Sequence, residues 1–277
     1  MDPIDRSCYA AATPPTILCL HSSGSSGSQW RVFAERMQDG FAILTPDFHG
    51  HGAGPQWRGA PADVVPADTA RIVRIARQAA GPVHLVGHSY GGAVALRVAL
   101  QHPELVVSVA VYEPVAMRVL FEEDPTAPAA LEIARVAATM RREIDAGSPE
   151  RAAQVFTDYW SHPGHWASLS PGHQAAIARR MPVIHDHFVS LFNDVVTRDD
   201  YARLARPVLY LTGSETTAAA RRTTALLQRV LPQVEPVAMH ALGHLGPITH
   251  PERVGLAIGH FLRRHVEAPL AEQRHAA

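Results

Sequence analysis

Residues 83–100, VHLVGHSYGGAVALRVAL, constrain this chain more than any other stretch. Val83 to Val86 is a short apolar run rich in β-branched residues, bounded upstream by Gly81-Pro82, and it predicts a buried strand. Gly87-His88-Ser89-Tyr90-Gly91 follows at once, and Ala93 to Leu100 has apolar residues at helical spacing. Between a strand and a helix packed against it the chain must turn sharply. Glycines two before and two after the serine remove Cβ atoms that would strike neighbouring backbone. Ser89 is left at the tip of the turn, in a strained conformation, at the positive end of a helix dipole. A bare G-x-S-x-G arises by chance in roughly one chain in ten of this length. The strand before it, the helix after it and the extra Gly92 distinguish this one from an ordinary glycine-rich βα loop.

The rest of the chain repeats the strand–helix rhythm. Thr16 to Leu20 predicts a buried strand, followed by the small-residue loop HSSGSSG at 21–27 and a helix over Gln29 to Met37. Phe41 to Thr45 is the next strand and runs into the turn-rich segment Pro46-Asp47-Phe48-His49-Gly50-His51-Gly52. A helix over Asp63 to Ala80 precedes the central strand, and Leu105 to Tyr112 is a further strand ending in Glu113-Pro114. From about Met117 to Leu204 no strand is predicted. Helices fall near 128–146, 149–160, 171–180 and 182–196. The rhythm resumes with a strand at Pro207 to Leu211, a helix near 217–231, a strand at 234–239 and a helix from Pro251 to Arg264. Residues 1–15 read as irregular, and the tail from 266 as fraying. Alternating strands and helices predict an α/β fold with a doubly wound, mostly parallel sheet. Its core would be 1–116 and 205–277, interrupted by a helical insertion at 117–204.

Composition narrows the chemistry. A net charge of −1 gives no electrostatic case for nucleic acid or an anionic membrane, and neither is expected as a partner. All 25 basic residues are arginine, which excludes lysine chemistry such as a Schiff base. Two cysteines, Cys8 and Cys19, imply no disulfide framework, and Cys19 lies in an apolar run that predicts a core position. The first 15 residues lack the features of a signal peptide, and no window has 18 uninterrupted apolar residues, so a cytoplasmic protein is expected.

A serine at such a turn is a weak nucleophile unless an imidazole accepts its proton. Four segments then carry a resemblance to the α/β-hydrolase superfamily along nearly the whole chain. They are His21-Ser22-Ser23-Gly24, Pro46 to Gly52, Gly87 to Gly92 and Gly243-His244, in the superfamily's order and at its spacing. Two departures stand out: His21-Ser22 replaces the usual His-Gly, and few residues precede the first strand where the superfamily usually has two strands. The resemblance implies Ser89 as nucleophile and His244 as the catalytic histidine. It implies an oxyanion hole from the backbone N–H groups of Tyr90 and Ser23, with Ser22 the runner-up, and His21 as a brace for that loop. It also implies that the insertion is a helical cap, whose Phe156, Tyr159, Trp160 and Trp166 are candidates for lining a pocket.

The third member, a carboxylate orienting the histidine, has two candidates. The superfamily usually places it three residues after the glycine ending the strand that follows the insertion; here that position is Thr216, with Glu215 one residue early. Some relatives place it at the end of the strand after the central helix, which is Glu113 here, and Glu113 is preferred. The expected function is hydrolysis of an ester, thioester or lactone through an acyl-enzyme on Ser89, acting on a small molecule with an apolar acyl or alkyl part. A C–C bond hydrolase acting on a β-diketone-like substrate and a non-catalytic ligand-binding protein of the same fold are the alternatives. Epoxide hydrolases and dehalogenases use aspartate where Ser89 stands. No cofactor and no metal are expected: His185 and His187 project differently from a helix, and His49 and His51 lack further ligands nearby in sequence.

Overall fold

A computed structural model describes residues 13–266; the N-terminal segment with Cys8, and the tail from 267, for which an irregular start and a frayed end are expected, lie outside the described residues. Six strands form one parallel sheet: β1 (Thr16–Leu20), β2 (Ala42–Leu44), β3 (Val83–His88), β4 (Val106–Tyr112), β5 (Val208–Gly213) and β6 (Val234–Met239), in the spatial order β2-β1-β3-β4-β5-β6. The helices α1 (Arg31–Met37), α2 (Val64–Arg77) and α3 (Tyr90–Gln101) lie before β4. Between β4 and β5 come α4 (Arg118–Glu123), α5 (Pro128–Asp145), α6 (Pro149–Trp160), α7 (His165–Ser168), α8 (Pro171–Phe192) and α9 (Arg198–Tyr201). The chain closes with α10 (Ala218–Val230), α11 (Gly246–Thr249) and α12 (Pro251–Arg264). No helix among the described residues is long and apolar enough to cross a membrane.

The apolar runs of the strands follow from burial on both faces. Leu18, Leu20, Leu85, Val109, Val111 and Tyr210 join one cluster with α2, α3, α10 and the cap. Their alternates Ile17, Cys19, Val86, Ala110, Leu209 and Leu211 join a second cluster with α1 and α12. Period-two alternation thus feeds two cores, and each buried Leu, Ile or Val side chain contributes about 1.5–3 kcal/mol. The edge strands are shorter or weaker. β2 has three residues, and β6 tolerates Pro236 because it pairs on one side only, with β5.

One helix departs from the sequence expectation. Separate helices are expected near 171–180 and 182–196; instead α8 runs unbroken through Pro182 and ends at Phe192. An interior proline costs about 3 kcal/mol through a missing N–H and a clash with the preceding turn. Here Met181, Ile184, His187, Phe188 and Leu191 are buried on both sides of it, and packing of that face outweighs the lost bond. Four short helices, α4, α7, α9 and α11, have no strong sequence period and are not expected from it.

The order of the strands reverses at β1 and β3, because β2 lies on one side of β1 and β3 on the other. In an open parallel sheet the crevice outside the carboxyl ends at such a point is where ligands bind. The loop 21–27 and the Ser89 turn both open there. A Cβ on Gly87 would lie 2.4 Å from the Gly91 carbonyl oxygen, and one on Gly91 would lie 2.3 Å from that of Leu20. Both contacts are with backbone, which cannot rotate away. Gly91→Ala is therefore expected to destabilise the protein by about 3 kcal/mol or to prevent folding. Urea denaturation with unchanged stability would show that the turn is looser than described.

Candidate active site

Strand register determines which side chains share the carboxyl edge. His88 pairs with Tyr112 across β3 and β4, and Tyr112 pairs with Leu211 across β4 and β5. The following residues, Ser89 and Glu113, leave adjacent strands at one level, about one strand spacing (~4.8 Å) apart. Both have positive φ, 54° and 43°. Such backbone costs about 1–3 kcal/mol per residue and persists only where surroundings fix it. Ser89 N–H donates to the Tyr112 carbonyl (3.0 Å), Val115 N–H donates to the Ser89 carbonyl (3.2 Å), and Glu113 N–H donates to the Leu211 carbonyl (3.0 Å).

His244 reaches these two residues from the loop between β6 and α11. Its Nε2 is 2.9 Å from Ser89 Oγ, and its Nδ1 is 2.6 Å from Glu113 Oε2. Nδ1–H donates to the carboxylate, which leaves Nε2 to accept from the serine hydroxyl. Glu113 is 1% exposed. Gly213 N–H donates to its Oε1 (2.8 Å) and the Thr216 hydroxyl to its Oε2 (2.7 Å). Thr216, at the position where the resemblance would place a carboxylate, is thus a donor to the carboxylate of Glu113. Glu215, the rival candidate, is exposed, and no hydrogen bond among the described residues joins its carboxylate to His244.

Several groups fix the His244 loop that sequence reasoning gave no role. The Tyr112 hydroxyl donates to the Gly243 carbonyl (2.7 Å), and Ala241 N–H donates to Ser214 Oγ (2.8 Å). His88 Nε2–H donates to the carbonyl of His244 (2.8 Å) and its Nδ1 accepts from Gln29 Nε2 (3.1 Å). Burial lowers the His88 pKa well below the imidazole range, so it stays neutral in this bridge. From the cap, the Trp160 ring stacks on His244 with centroids 4.1 Å apart. Nothing in sequence separation links Trp160 or Gln29 to His244; only the fold does.

The loop after β1 is held by histidines. Ser22 N–H donates to Gln29 Oε1 (3.1 Å) and Gly24 N–H to His51 Nε2 (3.0 Å). The N–H of Ser23, between them, has no acceptor among the described hydrogen bonds. Tyr90, the first residue of α3, likewise has an N–H with no intrahelical acceptor. His21 Nδ1–H donates to the Ser22 carbonyl (2.8 Å), and its Nε2 accepts from Phe48 N–H (3.1 Å). His187 Nδ1 lies 2.7 Å from Ser23 Oγ, and its ring stacks on Tyr90 at 3.7 Å. The i, i+2 partner His185 instead faces the charges of Arg141 and Asp145. His49 bonds Asp68 (2.7 Å). Among the described residues no three His, Cys, Asp or Glu side chains group to hold a metal.

A cavity of about 230 Å³ opens over Ser89 and His244, and Phe156, Trp160 and Ile177 of the cap line it. Two other cap aromatics lie elsewhere: the Tyr159 hydroxyl donates to Glu132 (2.8 Å), and Trp166 packs against the core.

A strained serine on a strand-to-helix turn, at the carboxyl edge of a parallel sheet and under a helical cap, defines a class of hydrolases built on one scaffold. This chain belongs to the Alpha/beta hydrolase family, whose model matches residues 17–255. It is 29% identical to the lipase LipV of Mycobacterium tuberculosis over 165 residues, 59% of this chain and 56% of that protein. The first curated relatives are thus spanned for about half their length or less. It is 24% identical to a pimeloyl-[acyl-carrier protein] methyl ester esterase of Aeromonas salmonicida over 253 residues, 90% of this chain and 95% of that one. Among solved structures, the α/β hydrolase MGS-M2 from a Medee basin deep-sea metagenome library superposes with a TM-score of 0.74 at 17% identity, covering 90% of this chain and 89% of that one.

The buried histidines give a stability profile. Burial lowers the pKa values of His21 and His51 to about 4 each, and the two rings also repel one another's charge. Unfolded, they titrate near 6.5. Between these values the unfolded chain binds protons that the folded one refuses, so stability is lost as pH falls from about 6.5 toward 4. Chemical denaturation across that window should show this loss. In His51→Gln the slope should be shallower by up to about 1.4 kcal/mol per pH unit; identical slopes would mean that His51 is not held neutral.

Proposed function

We propose that the protein is a serine hydrolase that cleaves an ester, thioester or lactone bond through an acyl-enzyme on Ser89. The observation that carries this reading is the unbroken line from Ser89 Oγ through both nitrogens of His244 to Glu113, beneath a cavity. The esterase and lipase names of relatives agree with it. In this reading residues 117–204 are the cap, and 1–116 with 205–277 the core.

Each step has a group for it. Ser89 Oγ attacks the carbonyl carbon as His244 Nε2 takes its proton. Glu113 keeps the imidazole in the required tautomer and stabilises its charged form, and the Trp160 ring face adds a cation–π contribution of about 0.5–2 kcal/mol. The unengaged N–H groups of Ser23 and Tyr90 receive the developing oxyanion. His244 then protonates the leaving group. Water, deprotonated by the same Nε2, attacks the acyl carbon and releases Ser89. The lining of Phe156, Trp160, Leu169 and Ile177 suits an apolar acyl or alkyl part.

A fluorophosphonate probe is expected to label the wild type and not Ser89→Ala; labelling that survives would remove Ser89 from the nucleophile role. Against p-nitrophenyl esters, Glu113→Gln should lower kcat by at least ~10²-fold, about 2.7 kcal/mol, while Glu215→Gln costs no more than ~10-fold. The reverse ranking would reassign the acid. Thr216→Val, which removes one donor to Glu113, should reduce kcat by roughly tenfold; unchanged kcat would leave the hydroxyl without a part in orienting the acid.

A further inference from the structure

We propose that the cavity takes a substrate whose apolar acyl chain also carries a carboxylate, received by the guanidinium of Arg180; this rests on the hydrolase reading above. The cavity wall is mainly apolar, with no aspartate or glutamate, and Arg180 of α8 supplies its permanent charge. His165 and His173 line the same wall, and an imidazole can offer an N–H there. An anion is the ligand group such a lining accepts.

Arg180 has capacity to spare. Among the described residues no carboxylate lies within ion-pairing distance of it. The carboxylate that acts on it electrostatically is that of Asp47, whose two oxygens accept from Gly27 N–H (2.7 Å) and Ala53 N–H (2.7 Å). One guanidinium nitrogen, Nη1, donates to the Gly24 carbonyl (3.0 Å). A guanidinium has five N–H donors in a fork that matches a carboxylate, and none of the Arg180 nitrogens is both buried and unpaired. Partial burial beside Phe156 and Ile177 weakens solvent screening, which strengthens any pairing made there. Burial and the neighbouring Arg179 also lower the guanidinium pKa, as expected of a cation lacking a close counter-charge.

Position selects chain length. Gly24 is the residue after Ser23, so Arg180 is anchored about two backbone units, roughly 7 Å of chain, from the amide proposed for the oxyanion. The carboxylate would therefore sit a short chain away from the scissile carbonyl. The bond to Gly24 alone would require only one neutral donor, which leaves the full charge of an arginine unexplained by a purely structural role.

The test compares monomethyl esters of straight-chain dicarboxylic acids, in graded length, with the dimethyl esters of the same acids, followed by proton release. The wild type should favour the anionic monoester at its best length by at least ~10-fold in kcat/KM. In Arg180→Met that ratio should fall to near one, and in Arg180→Lys part of it should remain. Because the ratio is taken within one variant, any general loss from disturbing the loop at Gly24 cancels. In parallel, calorimetry on Ser89→Ala should show monoester binding that weakens ~10-fold when Arg180→Met is added. Hydrolysis of both esters with no preference, or a preference that survives Arg180→Met, overturns the anion site and leaves the hydrolase reading standing. Arg180-dependent binding without any hydrolysis by the wild type upholds the anion site and overturns the hydrolase reading.

Discussion

The carboxylate of Glu113 sets the terms for the rest of the structure. A buried ionised carboxylate is tolerated only when its oxygens are paired and hydrogen-bonded. Three elements supply what it needs. Gly213 N–H comes from the end of β5, the Thr216 hydroxyl from the loop beyond it, and His244 Nδ1 from the loop after β6. The charge thus draws two other stretches of the chain, residues 213–216 and the loop that carries His244, to one point on the sheet edge. Removing it would strand those donors and free the imidazole that faces Ser89. The positive φ at Ser89 and at Glu113 is the conformational cost of aiming both side chains over the edge, and the strand register is what makes them neighbours.

Cap and core are joined by polar contacts as well as apolar packing. On α8, Arg180 bonds the Gly24 carbonyl, His187 bonds Ser23 Oγ, and Ser190 bonds the Ala62 carbonyl (2.7 Å). The loop whose Ser23 amide is the proposed oxyanion donor is therefore shaped partly by the cap. Continuity of α8 through Pro182 matters for this reason. Arg180 and His187 lie on opposite sides of that proline, and a break there would separate the two contacts. Trp160, at the end of α6, extends the coupling to His244 itself. A substitution at Trp160 would thus act on the histidine as well as on the space left for substrate.

Most of the fold is legible in the sequence because buried parallel strands are short β-branched runs between turn residues. The central strand, the turn and the helix of residues 83–100 appear where their pattern indicates, with ends shifted by one to three residues. The failures have physical causes. The two helices expected near 171–180 and 182–196 are one, because tertiary burial outweighs the cost of Pro182 inside α8. The short helices α4, α7, α9 and α11 have too few residues to present a period. Of the residues expected at the site, Ser89 and Glu113 directly follow β3 and β4 and His244 lies in the loop after β6, and the fold brings their side chains together. Ser23 could be named by its place in a loop. Gln29, His88 and Tyr112 carry no such signal, because their contacts depend on how loops fold over the edge rather than on any local pattern; Trp160 is expected as a pocket-lining residue, but its stacking on His244 depends on the same folding. His51 and His187 drew attention only as possible metal ligands, whereas the structure uses both to hold the loop after β1.

In the proposed reading Glu113 is the acid, and Thr216 stands at the other position the resemblance offers for one. His244 Nδ1 and the Thr216 hydroxyl meet on one oxygen, Glu113 Oε2. A second carboxylate at 216 could not share that buried space ionised, since two like charges at contact distance raise the pKa of one of them. Once Glu113 occupies the β4 position, the residue at 216 has to be neutral, and a hydrogen-bond donor serves better than an apolar group. Threonine meets both conditions: its hydroxyl satisfies Oε2 at 2.7 Å, and its compact side chain fits a buried site. In that reading Thr216 complements Glu113: it brings a donor and no second charge to the buried carboxylate.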